Sequence, residues 1–457
     1  MNKYHEIIII GAGISGLSAA HFLKKFDPAA DVLILEQGDR PGGAVKSFQE
    51  GEIHAEWGPH GFLDNTPESR ELLIDTGLDK VAQRAPLGDF LRFVCHDAAL
   101  TPLPQSPKKL LTTPLLSLTG KLRLLGDLFR KPAEDGLTIA QWAEYRFGSE
   151  ILPLVDAAVT GTFAGDFSRL NIDAVMPGVR NLEKEFGSVL KGLKKRKKKT
   201  VSSGPLPAMI NFPHGMESLI QELSRKAEIS FDSGVAHLAL QDGKWEITTS
   251  GGDQYQARTV IIALPVNRAL KMLAPLLPPP VASIPVAHII NLVMAFPGTA
   301  EVPRGFGYLA PEKENRFTLG AMFTSHMFPD RIPPGTVLLE ALVGGRRHPE
   351  RLELDDKTII ENVLGDLKSL MKLPDPPHYV KVLRPENGIP QMEGDHPALL
   401  GWRKELLQKY SKLHVFGFGW DGIGMNDMIK TARRVAETIG TGDVAGEQQP
   451  QVKPVYF

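Results

Sequence analysis

Cysteine is nearly missing from this chain, with one residue, Cys95, among 457. No internal disulfide and no cysteine-rich zinc or iron–sulfur site can form, and such usage fits a reducing cytoplasm. An excess of either charge is also lacking. Lys and Arg number 52 against 53 Asp and Glu, a net charge of -1, so there is no chain-wide basic field and no nucleic-acid partner is expected. The stretch most like a membrane span, Ile7 to Leu23, is interrupted by Gly11, Gly13 and Gly16. A span wants about 20 apolar residues and a secretory signal a compact apolar centre; strand, turn and helix account for the stretch better. The 13 histidines show no HExxH-type spacing, and no Ser/His/Asp set or metal-ligand cluster stands out, so no metal and no catalytic side chain is assigned. No internal repeat is found. What is present is 42% apolar and 23% charged residues with 44 Gly and 36 Pro, a balance that supports sizeable cores joined by many turns. The length calls for two or three domains.

Glu6–Ile10 is β-branched and suits a strand buried on both faces of a parallel sheet. Gly11-Ala12-Gly13-Ile14-Ser15-Gly16 follows at once, and Leu17–Lys25 reads as a helix. This is the dinucleotide fingerprint in its required context. The first glycine permits a tight turn, the second admits pyrophosphate to the backbone, and the third lets helix and strand pack closely. The helix start offers free N–H groups and partial positive charge to phosphates. Val32–Leu35 is the second strand, and Glu36 ends it about 20 residues past the glycines, where an acid can bind ribose hydroxyls. The fingerprint alone does not separate FAD from NAD. Arg40-Pro41-Gly42-Gly43 adds a second glycine pair for close backbone approach, with Arg40 placed to offset pyrophosphate charge.

Further motifs follow in order. They are Glu56-Trp57-Gly58-Pro59-His60-Gly61-Phe62, Arg92-Phe93-Val94 with Leu103-Pro104, and Gly161-Thr162-Phe163-Ala164-Gly165-Asp166. Gly305-Phe306-Gly307-Tyr308-Leu309-Ala310-Pro311, Gly388-Ile389-Pro390-Gln391 and Asp421-Gly422-Ile423-Gly424-Met425-Asn426-Asp427 complete the series. With the glycine fingerprint, Glu36 and the Arg-Pro-Gly-Gly turn, these resemble the FAD-containing amine oxidase superfamily and, within it, the protoporphyrinogen oxidase family. The resemblance runs from residue 6 to about residue 437. It departs from the family pattern at Pro385-Glu386, Met392, His214 and Met428.

The resemblance implies FAD as cofactor, held by Gly11, Ala12, Gly13, Ile14, Ser15, Gly16, Glu36, Arg40, Gly42, Gly43 and Ala44. It adds Trp57, Gly58, Pro59, His60, Val235, Phe418, Ile423, Gly424 and Met425, with Val235 the backbone contact to adenine. It places a tetrapyrrole against Gly161, Phe306, Leu309 and Leu342, and faces Arg92 with a substrate propionate. A planar guanidinium fork suits a carboxylate. His60 beside the flavin reads as a turn residue rather than a base. The implied reaction is the six-electron oxidation of protoporphyrinogen IX, with molecular oxygen as acceptor. Coproporphyrinogen III is the alternative substrate, disfavoured by the arginine at position 92. Another flavin amine oxidase-type enzyme, or a non-catalytic lipid-binding relative, is the further alternative.

The fold class expected is α/β: a Rossmann-like FAD-binding domain (1–62 with 208–270 and 410–445), a mixed-sheet substrate domain (63–99 with 271–409) and a helical, membrane-associating domain (100–207). Leu110–Arg130 carries leucines at helical spacing with cations between them, which fits a helix lying in a membrane interface or an ordinary amphipathic helix. Residues 191–199 hold seven basic side chains in nine positions, read as a solvated loop or as an attraction for anionic lipid. The expected location is cytoplasmic, peripheral on the cytoplasmic membrane; a homodimer is left open.

Overall fold

The structure, a computed structural model, describes residues 3–441 apart from 89, 105–106 and 200–206; the side chains at 107, 108, 111 and 196–199 lie outside that description. Residues 442–445 of the first expected domain also lie outside the described residues.

Lys3–Ile10 sits inside a seven-stranded sheet. It pairs in parallel with Val32–Leu35, itself parallel to Glu228–Ser230, and on its other edge with Gln254–Ile262. Leu413–Val415 adds in parallel along the second half of Gln254–Ile262, and the antiparallel hairpin Val235–Gln241 and Lys244–Thr249 pairs along the first half. Alternation along each strand explains why unbroken apolar runs are needed. Ile7, Ile9, Val32, Ile34 and Ile261 enter one core with the helices Ile14–Phe26 and Met425–Thr441. Ile8, Ile10, Leu33, Leu35, Val260 and Ile262 enter the other, beside Val266–Leu273 and His396–Lys409. Each fully buried Ile or Leu contributes about 1.5–3 kcal/mol.

A second seven-stranded sheet runs Tyr379–Leu383, Ile289–Pro297, Thr336–Gly344, Gly320–Met322, Gly305–Leu309, Leu91–His96 and Ala99–Pro102. It is mixed, because Gly305–Leu309 and Leu91–His96 run parallel while the other pairs are antiparallel. One face is sealed by the helix Asp356–Lys368, whose Ile359, Val363 and Leu367 meet Phe93, Tyr308, Ala321, Ala341 and Leu292. On the opposite face Asn291 Nδ2 donates to Glu56 O (3.2 Å) and Glu340 meets His60 (2.9 Å). The helix Pro67–Thr76 packs differently from the expected division: Leu72, Leu73 and Leu78 join the first sheet's core rather than the second sheet.

Helices dominate from Pro107 to Lys199. The single helix expected over Leu110–Arg130 is not formed. Pro114 lacks an N–H and disfavours helix at the residue before it, so one helix stops at Thr112. Ser117 then caps a new one, Leu118–Leu125, by accepting from Gly120 N at 3.0 Å, and a 3₁₀ turn, Gly126–Phe129, follows. The basic run is corrected too: it is not a loop but the helix Val189–Lys199. Its first turn is held because Asp127 accepts from Leu190 N (2.9 Å) and Ser188 Oγ accepts from Lys191 N (3.2 Å), and Lys and Arg are good helix formers. Beneath it lies a buried ionic hub. Glu183 accepts from Ala133 N (2.6 Å) and Trp142 Nε1 (2.8 Å), pairs with Arg146 Nε (2.8 Å) and contacts the Arg180 guanidinium.

Candidate functional site

The glycine loop joins the first strand to the helix Ile14–Phe26. Gly11 adopts φ +105, which only glycine takes readily, and a Cβ on Gly16 would lie 1.9 Å from Gly11 O. These two glycines are needed by the fold. Gly13 is not: its φ is −73, and a Cβ there would meet nothing within 4 Å. Ala12, Ile14 and Ser15 are buried around it. Gly13 bridges to Gly42, and Gly42 N donates to Ala12 O at 2.8 Å, so the second glycine pair lies against the first loop. A Cβ on Gly43 would meet only Gly13 Cα, at 3.7 Å. No side chain caps the helix start. The result is bare backbone with N–H groups directed outward, which suits a pyrophosphate.

Glu36 accepts from Ala12 N (2.8 Å) and Gly38 N (2.9 Å), which fixes its carboxylate over the loop. Asp232 N and Ser233 N donate to Gly38 O and Glu36 O, bringing the segment that carries Val235 to the same end. Arg40 is folded onto its own turn, donating to Pro41 O (3.0 Å) and Gly43 O (2.9 Å). Ala44 is the stop for the next loop: a Cβ on Gly58 would lie 2.0 Å from Ala44 O. Trp57 turns its ring to Phe48 with Lys46 Nζ 5.3 Å above it, and Pro59 and His60 continue towards the second sheet. At the far end, Val266 N donates to Phe418 O. Gly424 N donates to Asp427 Oδ2 (3.1 Å) at the start of the helix that begins with the buried Met425. Ile423 packs towards Phe163 and Met392. Paired glycine loops with Glu36 bound to them, and a helix start at Met425 that shares their core, fit a dinucleotide such as FAD.

Register places the substrate candidates on the open face of the second sheet. Residues directly opposite one another share a face, so Arg92, Gly307, Met322 and Glu340 form one row, and Val94, Leu309, Gly320, Leu342 and Asn291 the next. A bulge between Gly305 and Gly307 re-aims Phe306, whose ring lies 4.9 Å from Arg92 Cζ and meets Phe90 edge-on. Burial pulls the Arg92 guanidinium below its ordinary range. The helix Leu152–Phe163 crosses the face, and a Cβ on Gly161 would come 2.7 Å from Leu309 Cδ1. Leu342 stands across Gly320 from Leu309, near Ala164. The five candidates thus share one surface, in the pairs Arg92–Phe306 and Gly161–Leu309 with Leu342 beyond.

Sequence reasoning missed the polar end of this face. Glu340 is 1% exposed; it accepts from His60 Nε2 (2.9 Å), Asn291 Nδ2 (2.6 Å) and Thr324 Oγ1 (2.8 Å). Beside it the buried Glu56 accepts from Asn211 Nδ2, Met216 N and Arg331 Nη2 at 3.0–3.1 Å. The signal was available: Glu340 and Asn291 are lone polar residues inside the apolar strands Thr336–Gly344 and Ile289–Pro297.

The profile of flavin containing amine oxidoreductases matches residues 14–440. A coproporphyrinogen III oxidase of Staphylococcus aureus is 27% identical, covering 95% of this chain and 98% of that one. Protoporphyrinogen oxidase 1 of Arabidopsis thaliana chloroplasts is 26% identical, over 94% and 87%. Among solved structures, one assigned as a protoporphyrinogen oxidase from Exiguobacterium sp. 255-15 superposes with a TM-score of 0.78 at 21% identity, over 97% of this chain and 100% of that one. A reduced UDP-galactopyranose mutase reaches 0.73 at 17% identity, over 99% of each.

Proposed function

The chain belongs to the flavin containing amine oxidoreductase family, and from that premise we propose that it oxidises a porphyrinogen to the porphyrin with molecular oxygen as acceptor. It is an FAD-dependent oxidoreductase. The observation that carries the substrate reading is the apolar floor of Leu309 and Leu342, with Phe306 and the Arg92 guanidinium at one end. A broad, mostly apolar macrocycle with peripheral carboxylates matches that arrangement.

FAD supplies the hydride acceptor when bound. Gly13 and Gly43 would leave room for its pyrophosphate, Glu36 would hold the ribose and the segment at Val235 the adenine. Gly58, Pro59 and His60 and the start of Met425–Thr441 would hold the ring. Arg92 orients the substrate through a propionate, and Phe306, Leu309 and Leu342 exclude water from the macrocycle's face. Protoporphyrinogen IX is the substrate favoured by the arginine at 92. The coproporphyrinogen III reading is favoured by the bacterial relatives of that name, from Staphylococcus aureus and Bacillus subtilis. Anaerobic mixing of the yellow protein with each porphyrinogen separates the two: the physiological substrate bleaches the flavin within the turnover time, and failure of both refutes the reading.

The proposal extends to a peripheral position at the cytoplasmic face of a membrane, as a monomer or homodimer. No helix among the described residues is long and apolar enough to cross one. Leu118, Leu122, Leu125 and Phe129 are 52–88% exposed at spacings of four, three and four, forming one apolar stripe. The basic helix Val189–Lys199 packs beside the same 3₁₀ turn. Apolar side chains bordered by cations suit an anionic lipid surface.

A further inference from the structure

Among the described residues, the Glu340 carboxylate and its partners at one end of the substrate face have no part in the chemistry derived so far. His60 Nε2 lies 2.9 Å from Glu340 Oε2, and that carboxylate is fixed by Asn291 Nδ2 and Thr324 Oγ1. A carboxylate only accepts, so Nε2 carries a hydrogen and the lone pair of a neutral His60 is on Nδ1. Among the described residues Nδ1 has no hydrogen-bond partner, and the imidazole as a whole is 18% exposed. Beside it runs a cavity lined by His60, Glu340 and Met322. Met322 sits in the row that ends at Arg92, three strand spacings from Glu340, or about 14 Å. Arg92 and the Glu340-bound His60 therefore stand at the two ends of one row of this face. Asn291 Oδ1, buried on that face, also has no hydrogen-bond partner among the described residues, and a porphyrinogen brings pyrrole N–H donors.

We propose that His60, oriented by Glu340, takes up the proton released in each two-electron oxidation of the substrate; the proposal rests on the porphyrinogen reading above. In each cycle a bridging C–H bond breaks and its electron pair leaves with the hydrogen as hydride to the flavin. In two of the three cycles a pyrrole N–H bond breaks, its pair forms the new C=N bond, and its proton goes to His60 Nδ1; in the third the proton comes from the fourth bridging C–H bond, whose pair forms the last double bond of the macrocycle. Reoxidation by oxygen consumes the hydride, one proton and O₂ to give hydrogen peroxide, so the proton held on His60 balances the cycle. His60 is the catalytic residue in this scheme and Glu340 a positioning residue, as in other carboxylate–imidazole pairs.

Electrostatics agree with this role. Burial alone pushes the imidazole down, but the Glu340 charge and hydrogen bond, with Glu56 behind them, outweigh burial and the opposing Arg331 guanidinium, and the net shift is upward. The proton-accepting form thus populates only above the ordinary histidine range, so flavin reduction should rise with pH through a raised acid limb.

Two measurements test this. Histidine-labelled NMR titration of the FAD-free protein should give His60 a pKa above its ordinary value, falling below it in Glu340→Gln. Anaerobic single-turnover flavin reduction, counted per bound FAD, should slow about a hundredfold or more in His60→Gln with the acid limb lost, and added imidazole should restore part of the rate in His60→Ala. Glu340→Gln should move the limb to lower pH. If Glu340→Gln does not fold, the two His60 variants decide. A His60→Gln protein with the wild-type rate and limb overturns the proposal, as does a His60 titration insensitive to Glu340→Gln. If neither porphyrinogen reduces the wild-type flavin, the substrate reading itself falls, and this proposal with it.

Discussion

Replacing Gly13 with valine separates cofactor binding from folding. The backbone at Gly13 is in an ordinary conformation, φ −73, and the position of a new Cβ is empty to 4 Å. As an N-cap, glycine is somewhat better than valine, so the FAD-free variant should lose no more than about 1 kcal/mol. The valine side chain instead fills the space through which pyrophosphate approaches the loop. A wild-type protein with free FAD at 100 times its Kd gains about 2.7 kcal/mol, and a site weakened a hundredfold gains about 0.4 kcal/mol at the same concentration. Urea unfolding with and without FAD, read beside the flavin absorbance of purified protein, measures both quantities. The expected result is a colourless, folded variant in which added FAD no longer shifts the midpoint. Gly16→Ala supplies the contrast, since its Cβ would lie 1.9 Å from Gly11 O, and it should fail to fold with or without FAD. Full flavin content and an undiminished FAD-dependent shift in Gly13→Val would refute the placement of the cofactor on this loop.

Arg92→Ala should keep its flavin spectrum and lose about 2–5 kcal/mol in kcat/KM for the porphyrinogen substrate, with Arg92→Lys recovering part; steady-state kinetics at matched flavin content decide. Glu183→Ala strips the buried Arg146 and Arg180 of their shared carboxylate and leaves Trp142 Nε1 and Ala133 N unpaired, so denaturant unfolding should report a loss of about 3–5 kcal/mol. Leu122→Ser with Phe129→Ser should weaken sedimentation with acidic liposomes by about 3 kcal/mol, somewhat over a hundredfold, and moderate salt should weaken it further by screening the basic helix; unchanged binding would move the membrane contact elsewhere.

The nucleotide end of the site was legible because its chemistry is local. Glycines, strand and acid lie within Lys3 to Glu36, and each has a reason to be there that does not depend on the rest of the fold. The second sheet was legible only as strands, since the shared face of Arg92, Leu309, Leu342 and Glu340 arises from register between segments far apart in the chain. His60 read as a turn residue because its partner lies 280 positions away. The basic run read as a loop because charge density was weighed and capping was not; Asp127, distant in sequence, supplies the acceptor that starts that helix. Pro114, by contrast, was visible and underweighted, and it divides the segment expected to be one helix.

The interrupted parentage of the first sheet sets the order in which the molecule can be finished. Ile7–Ile10 pairs with Thr259–Ile262, roughly 250 residues later, and at 5–20 residues per second its partner is still untranslated for about 12–50 s. Until then this strand has only Val32–Leu35 beside it, and a lone pair of parallel strands does not hold in water. An apolar segment destined for burial on both faces therefore leaves the ribosome early and stays unsheltered until Gln254–Ile262 emerges, with Leu413–Val415 added later still. Flavin cannot template this assembly from the start, because the helix Met425–Thr441, which completes the core beneath the glycine loop, is made last. Lesions near the end of the chain should thus surface first as flavin-poor protein.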